Sequence, residues 1–111
     1  MRADIPAIKI SVLDRNSEYI KEITYGIEEE GIPYEITEEN FYNIKEKAFE
    51  ISQASRLSVG IAVDKEEAVI HFSKLRIDKP LFILSLDGLE KEKLRILKSN
   101  AARLIKGIKK K

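Results

Sequence analysis

The chain has no cysteine and no tryptophan, and only one histidine, His71, in 111 residues. Without cysteine there are no disulfides, no thiolate nucleophile and no cysteine metal site, and a secreted disulfide scaffold is not expected. One imidazole with no thiol makes a His/Cys metal cage or a Cys-His dyad untenable. His71, flanked by Ile70 and Phe72, therefore reads as a structural or half-buried residue. No apolar run approaches the roughly 20 residues that span a bilayer and the N-terminus has no signal-peptide pattern, so a cytoplasmic protein without membrane contact is expected. Lys and Arg (20) nearly balance Asp and Glu (19) for a net charge of +1. There is thus no global basic footprint for nucleic acid. The basic end, Lys106 to Lys111, reads as a solubilising tail placed after a helix C-terminus.

Glycine is also missing where a nucleotide fold would need it. The first expected strand leads into Leu13-Asp14-Arg15-Asn16-Ser17, with no glycine to let the backbone approach a pyrophosphate, and no Walker-type loop occurs. If a nucleotide matters, another chain must bind it. Ser55, Ser58, Ser73, Ser85 and Ser99 lack a nucleophile-elbow pattern, and no carboxylate pair stands out for acid–base work. Catalysis by this chain alone is not expected.

Periodicity supplies the architecture. Ala7 to Leu13 suits a buried strand, and Asn16 or Ser17 can cap a helix that runs to Glu30 with Ile20, Ile23 and Ile27 on one face. Pro33 to Thr37 alternates as a short strand near an edge, because proline lacks the donor a central ladder needs. A second helix is predicted over Asn40 to Ala54 from the spacing of Phe41, Ile44, Ala48 and Ile51. Leu57 to Val63 and Glu67 to Phe72 are strands separated by three residues, too few for a parallel crossover, so residues 57–72 predict an antiparallel hairpin. Pro80 to Leu86 is a fifth strand. Asp87 and Glu90 resemble a capping box before a last helix striped by Leu94, Leu97, Ala101, Leu104 and Ile108. The order predicts one α/β domain over residues 1–111. Its expected form is a Rossmann-like or flavodoxin-like open sheet, mostly parallel apart from the hairpin, with helices on both faces.

One stretch goes against local physics. In Gly26-Ile27-Glu28-Glu29-Glu30-Gly31-Ile32-Pro33 the glycine, apolar anchor and proline mark a helix end, which puts three acids in the last turn. Each exposed carboxylate there costs about 0.3 to 1 kcal/mol against the helix dipole. A solvated cluster tolerates this; a cation or a basic surface turns it into a binding site. At about 100° per residue, Glu30 falls near the edge of the isoleucine stripe, Glu28 lies to one flank and Glu29 points away from it. Tyr25 lies one turn before Glu29 on the outward face, with Glu22 further back. A lone outward carboxylate can complete a Mg²⁺ shell whose other ligands come from a partner.

The same stretch, continued to Tyr34, resembles a known family. Further matching segments are Val59-Gly60-Ile61-Ala62-Val63-Asp64, Val69-Ile70-His71-Phe72, Pro80-Leu81-Phe82 and Asn100-Ala101-Ala102-Arg103-Leu104-Ile105-Lys106-Gly107-Ile108. Together they resemble the small subunit of the reactivating factors for adenosylcobalamin-dependent diol and glycerol dehydratases, a family related to the dehydratase medium subunit. Residues 35–55 carry little of it, and Ile108-Lys109-Lys110-Lys111 departs from the family's proline-containing, less basic ending. The resemblance implies a non-catalytic accessory subunit paired with a large subunit that has an actin-like ATPase domain, two copies of each. It implies release of damaged cobalamin from a stalled dehydratase through nucleotide-dependent affinity changes and exchange of the similar small and medium subunits. It also implies that one glutamate, at the position of Glu29, reaches a Mg²⁺ held mainly by the large subunit. Glu22, Tyr25, Glu28 and Gly31 would line that interface. The location implied is the cytoplasm, with association with a bacterial microcompartment left open. A dehydratase medium-subunit relative that helps hold cobalamin is the alternative.

Overall fold

The computed structural model describes residues 6–85, in which five segments form one sheet. The chain runs β1 (Ile8–Val12), α1 (Glu18–Glu29), β2 (Tyr34–Glu38), α2 (Ile44–Ala54), β3 (Val59–Val63), β4 (Glu67–Phe72) and β5 (Phe82–Ser85). The capping box at Asp87 and Glu90, the final helix and the basic tail lie outside the described residues. Strand order is β2-β1-β3-β4-β5. β1 pairs in parallel with β2 and β3, while β4 pairs antiparallel with both β3 and β5. The expectation of a mostly parallel sheet is therefore corrected to a mixed one, with two pairings of each kind. The cause is connection length: the turn from Asp64 to Glu66 and the loop 73–81 each return the chain to a neighbouring position without a crossover helix.

The two faces of the sheet are built from different side chains. Ile8, Ile10 and Val12 of β1, Val59, Ile61 and Val63 of β3, and Ala68 and Ile70 of β4 share one face and pack against Ile20, Ile23 and Ile27 of α1. On the other face Ser11, Gly60, Ala62, Val69 and His71 are buried, and α2 covers them with Ile44 and Ala48. Large residues hold α1 away from the strands; small ones let α2 come close. A Cβ built on Gly60 would lie 2.4 Å from the Ala48 carbonyl oxygen, 2.6 Å from the Ser52 nitrogen and 2.6 Å from Ile51 Cγ1. Helices thus cover both faces, as expected.

Helix α2 starts four residues later than predicted, at Ile44. The Asn43 side chain accepts the Glu46 N–H at 3.1 Å and caps the helix there. Phe41 lies before the helix but still packs on the Ile44, Ala48, Ala62 and Val69 cluster, which explains why its spacing mimicked another turn. β2 is an outer strand, as its proline suggested, and Pro33 sits just before it with its carbonyl accepting the Ile8 N–H at 3.0 Å.

His71 is fully buried rather than half-buried. Its ring meets Phe49 edge-on, with centroids 5.2 Å apart. Nε2 lies 3.2 Å from the Ile77 carbonyl and Nδ1 3.0 Å from the Phe72 nitrogen. Nδ1 also lies 3.1 Å from the Phe72 carbonyl, so backbone polar groups border both ring nitrogens.

A polar network borders α2. Buried Ser11 donates its hydroxyl to Glu39 Oε2 at 2.6 Å, and Lys47 of α2 pairs with Glu39 Oε1 at 2.9 Å. The Ser11 hydrogen bond, then the one from Lys47, holds the Glu39 carboxyl below its usual range. A carboxyl lowered in the folded state contributes stability above its unfolded pKa and loses it as pH falls through the folded one. The urea midpoint of Ser11→Ala is therefore expected to fall less than that of the parent chain between pH 7 and pH 3. Equal acid losses in the two proteins would show that this network does not contribute.

Candidate partner-binding site at the end of the first helix

Ser17 caps α1, its hydroxyl accepting the Tyr19 N–H at 3.2 Å. From there Ile20, Ile23 and Ile27 run down the buried side. Burying each is worth about 1.5 to 3 kcal/mol, which outweighs the dipole cost of the acids at the far end. The helix can therefore carry an unfavourable terminus, and no basic residue offsets it in the last turn.

The terminus is closed by a Schellman motif. Gly31 takes φ +72°, a conformation that a side chain would strain. Its N–H donates to the Glu28 carbonyl at 2.9 Å, and the Ile32 N–H donates to the Ile27 carbonyl at 3.2 Å. Ile32 is buried in the same cluster as Ile27, completing the apolar contact that accompanies this cap. Glycine, apolar anchor and proline thus act as the sequence indicated.

The acids then take distinct surroundings. Glu28 and Glu29 are exposed and Glu30, expected near the edge of the isoleucine stripe, is half-buried. Tyr25 is 54% exposed, Glu22 half-buried and Gly31 exposed. Tyr25 and Glu29 are one turn apart, with Glu22 one turn further back, so the predicted residues share one side of the helix and its closing turn. Sequence reasoning missed Tyr34. Its hydroxyl donates to Glu28 Oε1 at 2.7 Å, tying the helix end to the first residue of β2. That carboxylate, and then burial, pushes the Tyr34 hydroxyl above its ordinary pKa. A tyrosine just past the glycine turn was the available signal.

Among the described residues no group of three or more His, Cys, Asp or Glu is placed to hold a metal ion. A single exposed carboxylate at Glu29 fits a Mg²⁺ only as one ligand among several that another chain provides. A cleft of about 330 Å³ opens at the C-terminal ends of β1 and β3, lined by Val12, Asp14, Ser17, Tyr19, Val63 and Asp64 among others. Its loop is occupied by its own side chains: Asp14 Oδ1 accepts the Asn16 N–H at 2.9 Å, and Ser17 takes that of Tyr19. Those are amides a phosphate would have used.

A family model described as the dehydratase medium subunit matches residues 5–111. The chain belongs to that family. Within the dehydratase medium subunit family it is similar to a diol dehydratase-reactivating factor small subunit of Klebsiella michiganensis, at 38% identity over 103 residues, 93% of this chain and 82% of the relative. A propanediol dehydratase-reactivating factor small subunit of Salmonella typhimurium is also 38% identical over 103 residues, covering 93% of this chain and 88% of the relative. Among solved structures, a chain in the diol dehydratase-reactivating factor complexed with ADP and Mg²⁺ is similar with a TM-score of 0.83. It is 36% identical, and the match covers 94% of this chain and 95% of that one. A glycerol dehydratase reactivase chain shares the fold, with a TM-score of 0.78 at 24% identity over 92% of this chain and 93% of that one. The resemblance drawn from the helix-end motif is borne out. This member of the dehydratase medium subunit family is similar to small subunits of reactivating factors, whose names fit an accessory role.

Proposed function

We propose that the chain is the non-catalytic small subunit of a chaperone-like factor that reactivates an adenosylcobalamin-dependent diol or glycerol dehydratase. The observation that carries this is the near full-length likeness, 36% identity at a TM-score of 0.83, to a chain of a reactivating factor solved with ADP and Mg²⁺. In this reading a large subunit carries the ATPase, two large and two small subunits assemble, and exchange with the similar dehydratase subunit accompanies release of damaged cobalamin. Glu29 completes the large subunit's Mg²⁺ shell, and Glu22, Tyr25, Glu28 and Gly31 border the contact. Exposure of Glu29 at a rigid, acid-rich helix end supports that assignment. The Rossmann-like or flavodoxin-like reading draws support from the β2-β1-β3 order with helices on opposite faces. The proposed setting is the cytoplasm, free or in a microcompartment.

Glu29→Ala, assayed against the large subunit with and without Mg²⁺, is expected to weaken the Mg²⁺-dependent affinity by about tenfold or more. Residues that merely support a metal ligand already lose that much. Circular dichroism should be unchanged, since the side chain is exposed. Unaltered affinity would remove the metal bridge. The family model's own description keeps a second reading, a medium-subunit relative that helps hold cobalamin. Equilibrium dialysis with cobalamin and the dehydratase large subunit separates the two, because only the second predicts retention of cobalamin.

A further inference from the structure

Arg15, in the loop between β1 and α1, reaches across to β2. Its backbone N–H donates to Glu38 Oε1 at 3.0 Å and its Nη2 to the Ile36 carbonyl at 2.9 Å. Among the described residues β2 ends the sheet, with a neighbouring strand on one side only. Ile8 donates to the Pro33 carbonyl at 3.0 Å and Glu39 to the Val12 carbonyl at 2.9 Å, so the odd-numbered residues of 33–39 face β1. By alternation, Tyr34, Ile36 and Glu38 direct their backbone groups outward. Arg15 therefore covers the middle outward carbonyl of an edge that could otherwise template another strand.

We propose that the outer edge of β2 is a strand-pairing surface held closed by Arg15, and that its occupant when opened is β2 of a second copy of this chain, running antiparallel. The charge pattern selects this occupant and its register. With Ile36 opposite Ile36 of the second copy, Tyr34 faces Glu38 and Glu35 faces Thr37, so no two acids oppose each other. A shift of two residues one way sets Glu35 against Glu35, and the other way sets Glu35 against Glu39. The favoured register exchanges N–H to carbonyl bonds between the two Ile36 residues, using the oxygen that Arg15 occupies. The side chain thus blocks the centre of the pairing. This does not depend on the reactivating-factor reading.

Sedimentation equilibrium on the full chain tests it. Arg15→Met removes the guanidinium of an exposed residue while keeping its stem and its backbone bond to Glu38. Two recovered hydrogen bonds predict dimerisation about ten- to a hundredfold tighter than in the parent chain. Adding Ile36→Pro, which deletes an outward N–H and leaves the β1 ladder intact, should restore the parent behaviour. Amide exchange gives a second readout: in Arg15→Met alone, the Ile36 N–H should slow as protein concentration rises. Equal association of Arg15→Met and parent overturns the proposal. So does an Arg15→Met dimer that survives Ile36→Pro, or one in which Ile36 exchange is independent of concentration.

Discussion

Gly60→Ala is expected to cost about 3 kcal/mol or more, the upper end of what overpacking a core exacts. The single added carbon would lie 2.4 Å from the Ala48 carbonyl and 2.6 Å from the Ser52 nitrogen. Both are backbone atoms inside α2, so no side chain can swing aside. The helix has to lift from the sheet, which opens the small cluster of Ile44, Ala48, Ala62 and Val69 and loosens its hold on the ring of His71. Interiors at crystal-like density absorb such a shift poorly. Urea unfolding followed by circular dichroism measures the loss, and a midpoint within error of the parent chain would show that α2 does not depend on this close approach. Glu29 belongs to α1, on the opposite face, so the fraction of Gly60→Ala that remains folded should keep its partner affinity.

His71→Ala is expected to destabilise by about 3 to 4 kcal/mol, the sum of a cavity and stranded polar groups. Truncation leaves a void beside Phe49 and removes the partners of the Ile77 carbonyl and the Phe72 N–H. Its effect is also local. The Nε2 bond ties the loop 73–81 to β4, so amides in that loop should exchange faster than those of β1 and β3, beyond what the global loss explains. A uniform change would mean that His71 acts only as filling. His71→Phe sharpens the comparison, since it restores ring volume without either hydrogen bond and should recover only the cavity part.

Most of the order of elements was legible because period and connection length are local. Glu67 to Phe72 forms β4 with the predicted ends, and the three-residue turn before it forces the antiparallel pair. The exposure of Glu29 followed from rotation per residue, and the helix stop from the glycine, where the Schellman bonds at Gly31 and Ile32 close the turn. What was hidden depends on distant groups. Asn43 ends the apparent helical run of Phe41 with one side-chain bond, which spacing does not reveal. The hairpin already made the sheet a mixed one; the second antiparallel pairing required knowing that β5 returns beside β4. Burial of His71 depends on Phe49 and Ile77 converging from α2 and a loop, and the Ser11, Glu39 and Lys47 network joins three separate elements. Gly60 looked like any strand residue until α2 was laid upon it.

At the foot of α1 the carbonyls of Ile27 and Glu28 are already engaged, and the Glu28 side chain is moored to Tyr34. An incoming molecule therefore meets a finished contour. The entropy of ordering this turn was spent when the chain folded, so nothing is owed for it at contact. In the docking proposed for Glu29, capture and letting go are then rigid-body events, and the turn leaves each encounter with the geometry it brought.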